Sequence, residues 1–151
     1  MTAPTSADGV LVFVDSTILV YALDEADPAK QEAAQNWRAE LWKSRRGRVS
    51  FQVLDEFYMN AIRIQPASRE SIRAEVRDLF AWKPVAADAE LLEHGWRLQD
   101  RHKLSYWDAL IVAAAKAASC RFLLSEDFRP GQDFDGVEVV NPFRRPPESV
   151  I

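Results

Sequence analysis

This sequence has little cysteine, glycine and histidine, and each shortage argues against a class of protein. A single cysteine, Cys120, cannot form an internal disulfide, so we expect a cytoplasmic protein rather than a secreted one. The five glycines form no glycine-rich phosphate loop after the first apolar run, which argues against a dinucleotide-binding fold. The two histidines and one cysteine have no zinc-binding spacing.

Long apolar runs and an excess of positive charge are also missing. The apolar stretch from Val10 to Leu23 is too short to span a bilayer, and no Lys or Arg precedes Lys30 as a signal peptide would require. We therefore expect no membrane association. The net charge of −4 argues against a general nucleic-acid-coating protein, but it permits a nuclease with its acids concentrated in one cleft.

The remaining composition is that of one globular domain, with 48% hydrophobic and 28% charged residues in a chain of 151. Short apolar runs alternate with longer helical patterns, which predicts an α/β fold with a mostly parallel central sheet and helices on both sides. The strand candidates are residues 10–14, 48–50, 121–124 and 137–140. We expect a flexible segment over residues 1–9, a folded domain over 10–143 and a loose tail over 144–151.

Asp15 stands at the end of the first predicted strand, directly before a helical run. In open parallel sheets the working site lies at the carboxyl ends of the strands, so Asp15 is a candidate catalytic residue. The alternative is that Asp15 only caps the helix behind it, since Asp is favoured at that position.

Three more acids occupy comparable positions: Glu56 on a helix, Asp108 at a helix start and Asp127 after the Leu123–Leu124 run. Divalent cations such as magnesium prefer carboxylate ligands, and metal-assisted phosphodiester cleavage needs several of them in one cleft. Each acid also has a structural interpretation. Glu56 could be solvated, Asp108 could complete a capping box with Ser105, and Asp127 could cap a turn.

Four segments of this sequence resemble, in order, the motifs of the PIN-domain ribonucleases. They are residues 14–22 (VDSTILVYA), 50–58 (SFQVLDEFY), 105–115 (SYWDALIVAAA) and 123–128 (LLSEDF). The match covers nearly the whole chain and is nearest to the toxin half, the VapC type, of bacterial VapBC toxin–antitoxin pairs. Thr17 stands where the family often has Asn.

The resemblance implies a three-layer α/β/α fold and a metal-dependent endoribonuclease that cleaves RNA phosphodiester bonds. It implies Asp15, Glu56, Asp108 and Asp127 as the catalytic, metal-binding acids, with Mg2+ or Mn2+ as cofactor. Ser125, Glu126 and Thr17 are possible additional site residues, and either Glu126 or Asp127 could be the nearer ligand. The resemblance also implies a homodimer and a cognate antitoxin protein as partners.

A ribonuclease must also hold RNA phosphates. Arg45, Arg46 and Arg48 belong to the densest basic run and are our candidates for RNA contact, although such a run also suits a solvated helix end. Two other functions stay open: a catalytically inactive binding module on the same fold, and a phosphatase with Asp15 as nucleophile. The phosphatase is disfavoured because Thr17 stands where it needs a second Asp.

Overall fold

The computed structural model describes residues 9–151, so the segment expected to be flexible lies, apart from Gly9, outside the described residues. Its centre is a five-stranded sheet in the order β2-β1-β3-β5-β4. The strands are β1 (Val12–Val14), β2 (Gly47–Arg48), β3 (Phe122–Leu124), β4 (Asp133–Phe134) and β5 (Val137–Val140). All neighbouring pairs are parallel except β4 with β5. The predicted α/β/α fold with a mostly parallel sheet is confirmed.

Helices pack on both sides of this sheet, as predicted. They are α1 (Ser16–Tyr21), α2 (Pro28–Ser44), α3 (Phe51–Ile64), α4 (Arg69–Leu79), α5 (Ala89–His102) and α6 (Tyr106–Ala117). Short 3-10 turns lie at Pro66–Ser68, Phe80–Trp82 and Pro147–Ser149. Within residues 9–151 no helix has both the length and the apolar character needed to cross a membrane.

The core explains why the two central strands are apolar on both faces. Every residue of β1 and β3 is buried, because helices pack on each side of the sheet. Helix α6 is buried continuously from Ala109 to Ala115, as its apolar sequence predicts. Helix α5 approaches it closely at Gly95, where an added Cβ would lie 2.8 Å from a methyl carbon of Leu110. This packing fixes the start of α6, and with it Asp108.

The edge near β2 differs in detail from the sequence prediction. The strand is Gly47–Arg48 rather than residues 48–50, and Ser50 instead forms an isolated parallel bridge with Val85. Helix α2 ends at Ser44, and the next residue, Arg45, is in the left-handed region with φ of 62°. Gly47 is therefore not needed to stop the helix; it makes room for the Trp82 ring, which an added Cβ would approach to 2.5 Å.

Two further features were not visible in the sequence patterns. Strand β4 pairs with β5 through a two-residue hairpin turn whose residues, Asp135 and Gly136, both have positive φ. Residues 144–151, expected to be a loose tail, contact α2 in the structure. The Trp37 indole Nε1 donates a 2.9 Å hydrogen bond to the Arg145 carbonyl, and Pro147 is buried.

Candidate active site

Asp15 lies at the carboxyl end of β1, where the chain passes into α1. Its Oδ1 accepts a 2.7 Å hydrogen bond from the Ser16 backbone N–H, so Asp15 does cap α1. Its Oδ2 accepts a second bond, of 2.8 Å, from the Ser125 hydroxyl, which follows β3. The carboxylate thus joins the ends of two neighbouring strands, and capping uses only one of its oxygens.

Burial dominates the electrostatics of this carboxylate. Only 6% of Asp15 is exposed, and this loss of hydration raises its pKa to about 6. The hydrogen bonds from Ser125 and Ser16 lower the pKa, whereas the negative charges of Asp127 and Glu56 raise it further. A buried acid with other carboxylates near it is the arrangement expected where a cation binds or where proton transfer occurs.

Glu56 reaches the same place from helix α3. This helix begins at Ser50, whose hydroxyl accepts a hydrogen bond from the Val53 N–H, and it buries Leu54 and Phe57 against the core. The partly exposed Glu56 lies away from that face, and its Oε1 accepts a 3.1 Å bond from the Ser16 hydroxyl. Ser16 therefore contacts both carboxylates, Asp15 through its backbone N–H and Glu56 through its hydroxyl.

Asp127 and Asp108 are close enough for their charges to interact. The Asp127 backbone N–H donates to the Ser125 hydroxyl at 3.1 Å, which fixes the turn after β3 beside Asp15. Partial burial raises the pKa of the Asp127 carboxyl, as do the charges of Glu126 and Asp108. Asp108 stands in the first turn of α6, whose cap is the Ser105 hydroxyl accepting from the Asp108 N–H at 3.1 Å.

Glu126 has a separate set of contacts. The Tyr21 hydroxyl donates to its Oε1 at 2.6 Å, and Lys30 forms an ion pair with its Oε2 at 2.9 Å. Burial alone would raise the pKa of Glu126, but these two partners outweigh it and hold the pKa below its ordinary value. Glu126 is therefore bonded to side chains of α1 and α2. Of the two neighbouring acids, it is Asp127 whose charge acts on Asp15.

Thr17 is the remaining candidate, and its hydroxyl Oγ1 is buried without a hydrogen-bond partner among the described residues. Beyond Glu56, a cavity of about 500 Å3 opens between α3, α5 and α6. Apolar side chains, among them Phe51 and Trp107, form much of its wall. The site therefore combines a cluster of acids with an adjoining apolar recess.

The acids lie near one another but do not form a complete metal-binding site. In the described part of the chain, no three carboxylate, imidazole or thiol groups lie close enough to hold one ion. Serines contact these carboxylates instead: Ser16 donates its backbone N–H to Asp15 and its hydroxyl to Glu56, and the Ser125 hydroxyl donates to Asp15. The donors are all oxygens, and the buried Asp15 has carboxylates around it, which suits a hard divalent cation.

The candidate RNA-contacting arginines lie at the other end of the sheet. The Val12 N–H donates to the Arg46 carbonyl, and Phe13 is level with Arg48. Arg45 and Arg46 thus sit at the amino end of β1, roughly 10 Å along the strand from Asp15. The structure does not bring these arginines to the acids.

The sheet order and the helices on its two sides define an α/β/α domain, with the buried Asp15 at the carboxyl end of its first strand. Residues 12–135 match the PIN domain family, and this chain belongs to that family.

Two solved structures share the fold. A toxin–antitoxin complex from Klebsiella pneumoniae has a TM-score of 0.61 at 18% identity, over 87% of this chain and 97% of that chain. The VapC20 toxin of Mycobacterium tuberculosis, described as cleaving the sarcin–ricin loop, has a TM-score of 0.60 at 22% identity, over 77% and 91%. The sequence matches no curated protein.

Proposed function

We propose that this protein is a metal-dependent endoribonuclease and the toxin of a toxin–antitoxin pair. The observation on which this rests most is Asp15, a buried carboxylate at a strand end that Ser16 and Ser125 connect to Glu56 and Asp127. Membership of the PIN domain family supports a nuclease. The toxin structures from Klebsiella and Mycobacterium support the toxin role and RNA as substrate. An RNA substrate also suits the cytoplasmic setting expected from the single cysteine.

In this proposal Asp15, Glu56, Asp108 and Asp127 hold the cation, Mg2+ or Mn2+. A bound divalent cation supplies charge stabilisation at the phosphate and an activated water. The protein supplies the positions: β1 and β3 fix Asp15 and Asp127 through the sheet, and the helix caps at Ser50 and Ser105 fix the other two acids. Ser16 and Ser125 orient the carboxylates through their hydroxyl groups.

The test of catalysis is RNA cleavage by the purified chain. We expect cleavage with manganese or magnesium, none after chelation, and a loss of at least about 100-fold in Glu56→Gln. Glu40→Gln, the same change on α2 beside the C-terminal residues Pro146 and Ile151, serves as the matched control and should cleave like the wild type. Full activity in chelator would contradict the metal proposal, and a folded wild type that cleaves no RNA would favour the inactive binding module.

The partner proposals have their own tests. A toxin of this kind is expected to be encoded beside a small antitoxin gene, and co-expression of that neighbour should abolish cleavage. We also propose a homodimer, since several large side chains remain half exposed, among them Phe51, Phe80 and Trp107. Sedimentation velocity at micromolar concentration should show a dimer, and a monomer alone would contradict this part of the proposal.

A further inference from the structure

The amino end of the sheet has a second cavity, distant from the acids, with a composition of its own. It measures about 500 Å3 and lies between the end of α2, strand β2 and the 3-10 turn Phe80–Trp82. Its lining residues are Trp42, Arg45, Arg48, Ala81, Trp82 and Lys83. Two indoles and three cations around one space are the groups that bind a nucleobase and its phosphates.

The aromatic wall is built into the fold. Trp82 is 2% exposed, and its ring lies on Gly47, where any side chain would collide with it. Trp42 stands beside it, with ring centroids 6.4 Å apart, but 48% of Trp42 remains exposed. The buried Trp82 thus supports Trp42, and the exposed surface of the Trp42 ring is available for a base to stack on.

The cations of this cavity are available to a ligand. No carboxylate of the described residues forms an ion pair with Arg45, Arg48 or Lys83. The Arg48 guanidinium is held by two carbonyls, those of Gly47 at 2.7 Å and Arg45 at 3.2 Å. Positive charge without a protein counter-ion is the electrostatic feature that attracts phosphate groups.

Two of these cations stand in backbone conformations that favour glycine. Arg45 has a φ of 62° and Lys83 a φ of 53°, so each ends its helical segment in the left-handed region. Glycine is the usual residue there, since a Cβ is disfavoured. Residues kept in disfavoured conformations are concentrated at functional sites, and here two of them line one cavity.

The chain connects this cavity to the neighbourhood of the acids. From Lys83 it continues to Val85, which bonds to both Val49 and Phe51 beside the sheet edge. Val85 and Ala87 then line the apolar recess that contains Glu56. One short segment therefore has the basic aromatic cavity at its start and the recess beside the acids at its end.

We propose that this cavity is a secondary binding site for single-stranded RNA, in which a base stacks on Trp42 and the adjoining phosphates contact Arg45 and Lys83. The proposal rests on the proposed ribonuclease function, because it concerns the same substrate. RNA bound at both places extends along the β2 edge of the sheet. Long RNA is then held more tightly than a fragment that covers the acids alone.

The test measures binding of a fluorescent single-stranded RNA of about 20 nucleotides to the full chain in chelator, with RNA integrity checked on a gel. Trp42→Ala should weaken binding about tenfold, and Trp42→Phe should restore most of it, because either ring can stack. Trp96→Ala is the control, since Trp96 is 49% exposed but lies on α5 outside the cavity. A fragment of about four nucleotides, short enough to occupy this cavity alone, should also bind Trp42→Ala more weakly than the wild type.

Glycine substitutions separate a binding role from a structural one. Lys83→Gly and Arg45→Gly should raise the melting temperature by relieving the left-handed backbone, yet weaken RNA binding severalfold. For each, the slope of log affinity against log salt should fall by about 0.7. Lys103→Gly is the matched control, because Lys103 has a φ of 56° at the end of α5, away from the cavity. It should gain stability and bind RNA like the wild type.

The outcomes distinguish this proposal from the one on which it rests. If the wild type cleaves RNA with manganese, but Trp42→Ala and Lys83→Gly bind long RNA like the wild type, the secondary site is disproved and the ribonuclease stands. If the wild type binds long RNA through Trp42 and Lys83 but cleaves nothing, the secondary site stands without the ribonuclease. Equal losses in the Lys103→Gly control would also disprove the site.

Discussion

At the scale of single residues, Asp15 is the point where stability and function conflict. Its carboxylate is buried beside Glu56 and Asp127, so ionising it in the metal-free protein costs free energy. The pKa of about 6 in the folded chain lies above the ordinary value of 3.8, so the folded chain holds this proton more tightly than the unfolded chain does. The contribution of this group to the unfolding free energy is therefore fully present below pH 3.8 and is lost as the pH rises through 6.

We predict that Asp15→Asn removes this pH dependence. Relative to the variant, the metal-free wild type should lose about 2–3 kcal/mol of unfolding free energy between pH 4 and pH 7. The Asn amide can still accept from the Ser16 N–H, so the cap persists. Chemical denaturation at several pH values in chelator measures the difference. If the wild type and variant curves run parallel over this range, the carboxylate is hydrated and not buried.

A second prediction at this scale separates the two roles possible for Asp108. The structure shows the Ser105 hydroxyl capping α6, so Ser105→Ala should cost about 1 kcal/mol of stability and leave cleavage intact. Asp108→Asn keeps the backbone N–H that the cap uses, and it removes a charge near Asp127. It should abolish cleavage at unchanged or higher melting temperature without metal. A destabilised but active Asp108→Asn would place Asp108 in the cap alone.

At the scale of elements, the approach of Trp82 to β2 depends on one missing side chain. We predict that Gly47→Ala destabilises the protein by about 1–3 kcal/mol, because the new Cβ would meet the indole at 2.5 Å. Gly9→Ala is the control, since a Cβ there would meet no atom of the described residues within 4 Å. Thermal melts of both variants and the wild type test this. Equal melting temperatures would mean that the Trp82 ring can move aside without cost.

Some of these elements could be predicted from the sequence and others could not. The alternation of strands with helices and the cap of α6 at Ser105 were predicted, since apolar spacing and caps are local signals. Strand β4 was not predicted, because two residues are too few to show alternation. The role of Gly47 was also hidden, because it depends on Trp82, a contact far away in the sequence.

The candidate site also contains residues that the sequence predicted and residues that it did not. The order of the motifs singled out Asp15, Glu56, Asp108 and Asp127. In the fold the charges of Asp127 and Glu56 act on Asp15, and that of Asp108 acts on Asp127. The sequence could not decide between Glu126 and Asp127, because that depends on Lys30 and Tyr21 reaching Glu126. Ser16 was overlooked as a link between carboxylates. A hydroxyl directly after the strand-end acid was the available signal.

At the scale of the whole molecule, the C-terminal residues complete the surface of α2. Trp37 is 1% exposed, and its indole N–H is satisfied only by the Arg145 carbonyl among the hydrogen bonds of the described residues. We predict that deleting residues 144–151 destabilises the chain by at least about 1–3 kcal/mol, because it leaves a buried donor unpaired. Trp37→Phe in the full chain should cost less. Denaturation curves identical to those of the full chain would mean that these residues do not pack in solution.

The two edges of the sheet have a consequence for behaviour at high concentration. Strands β2 and β4, which form these edges, have two residues each, and the chain beyond β2 is already paired with Val85. Long, flat edge strands act as templates for adding strands from other molecules, and short ones do not. The sheet thus offers little backbone for intermolecular pairing. A crowded solution of the folded chain should accordingly resist fibril formation, even though its central strands are among the most apolar segments of the sequence.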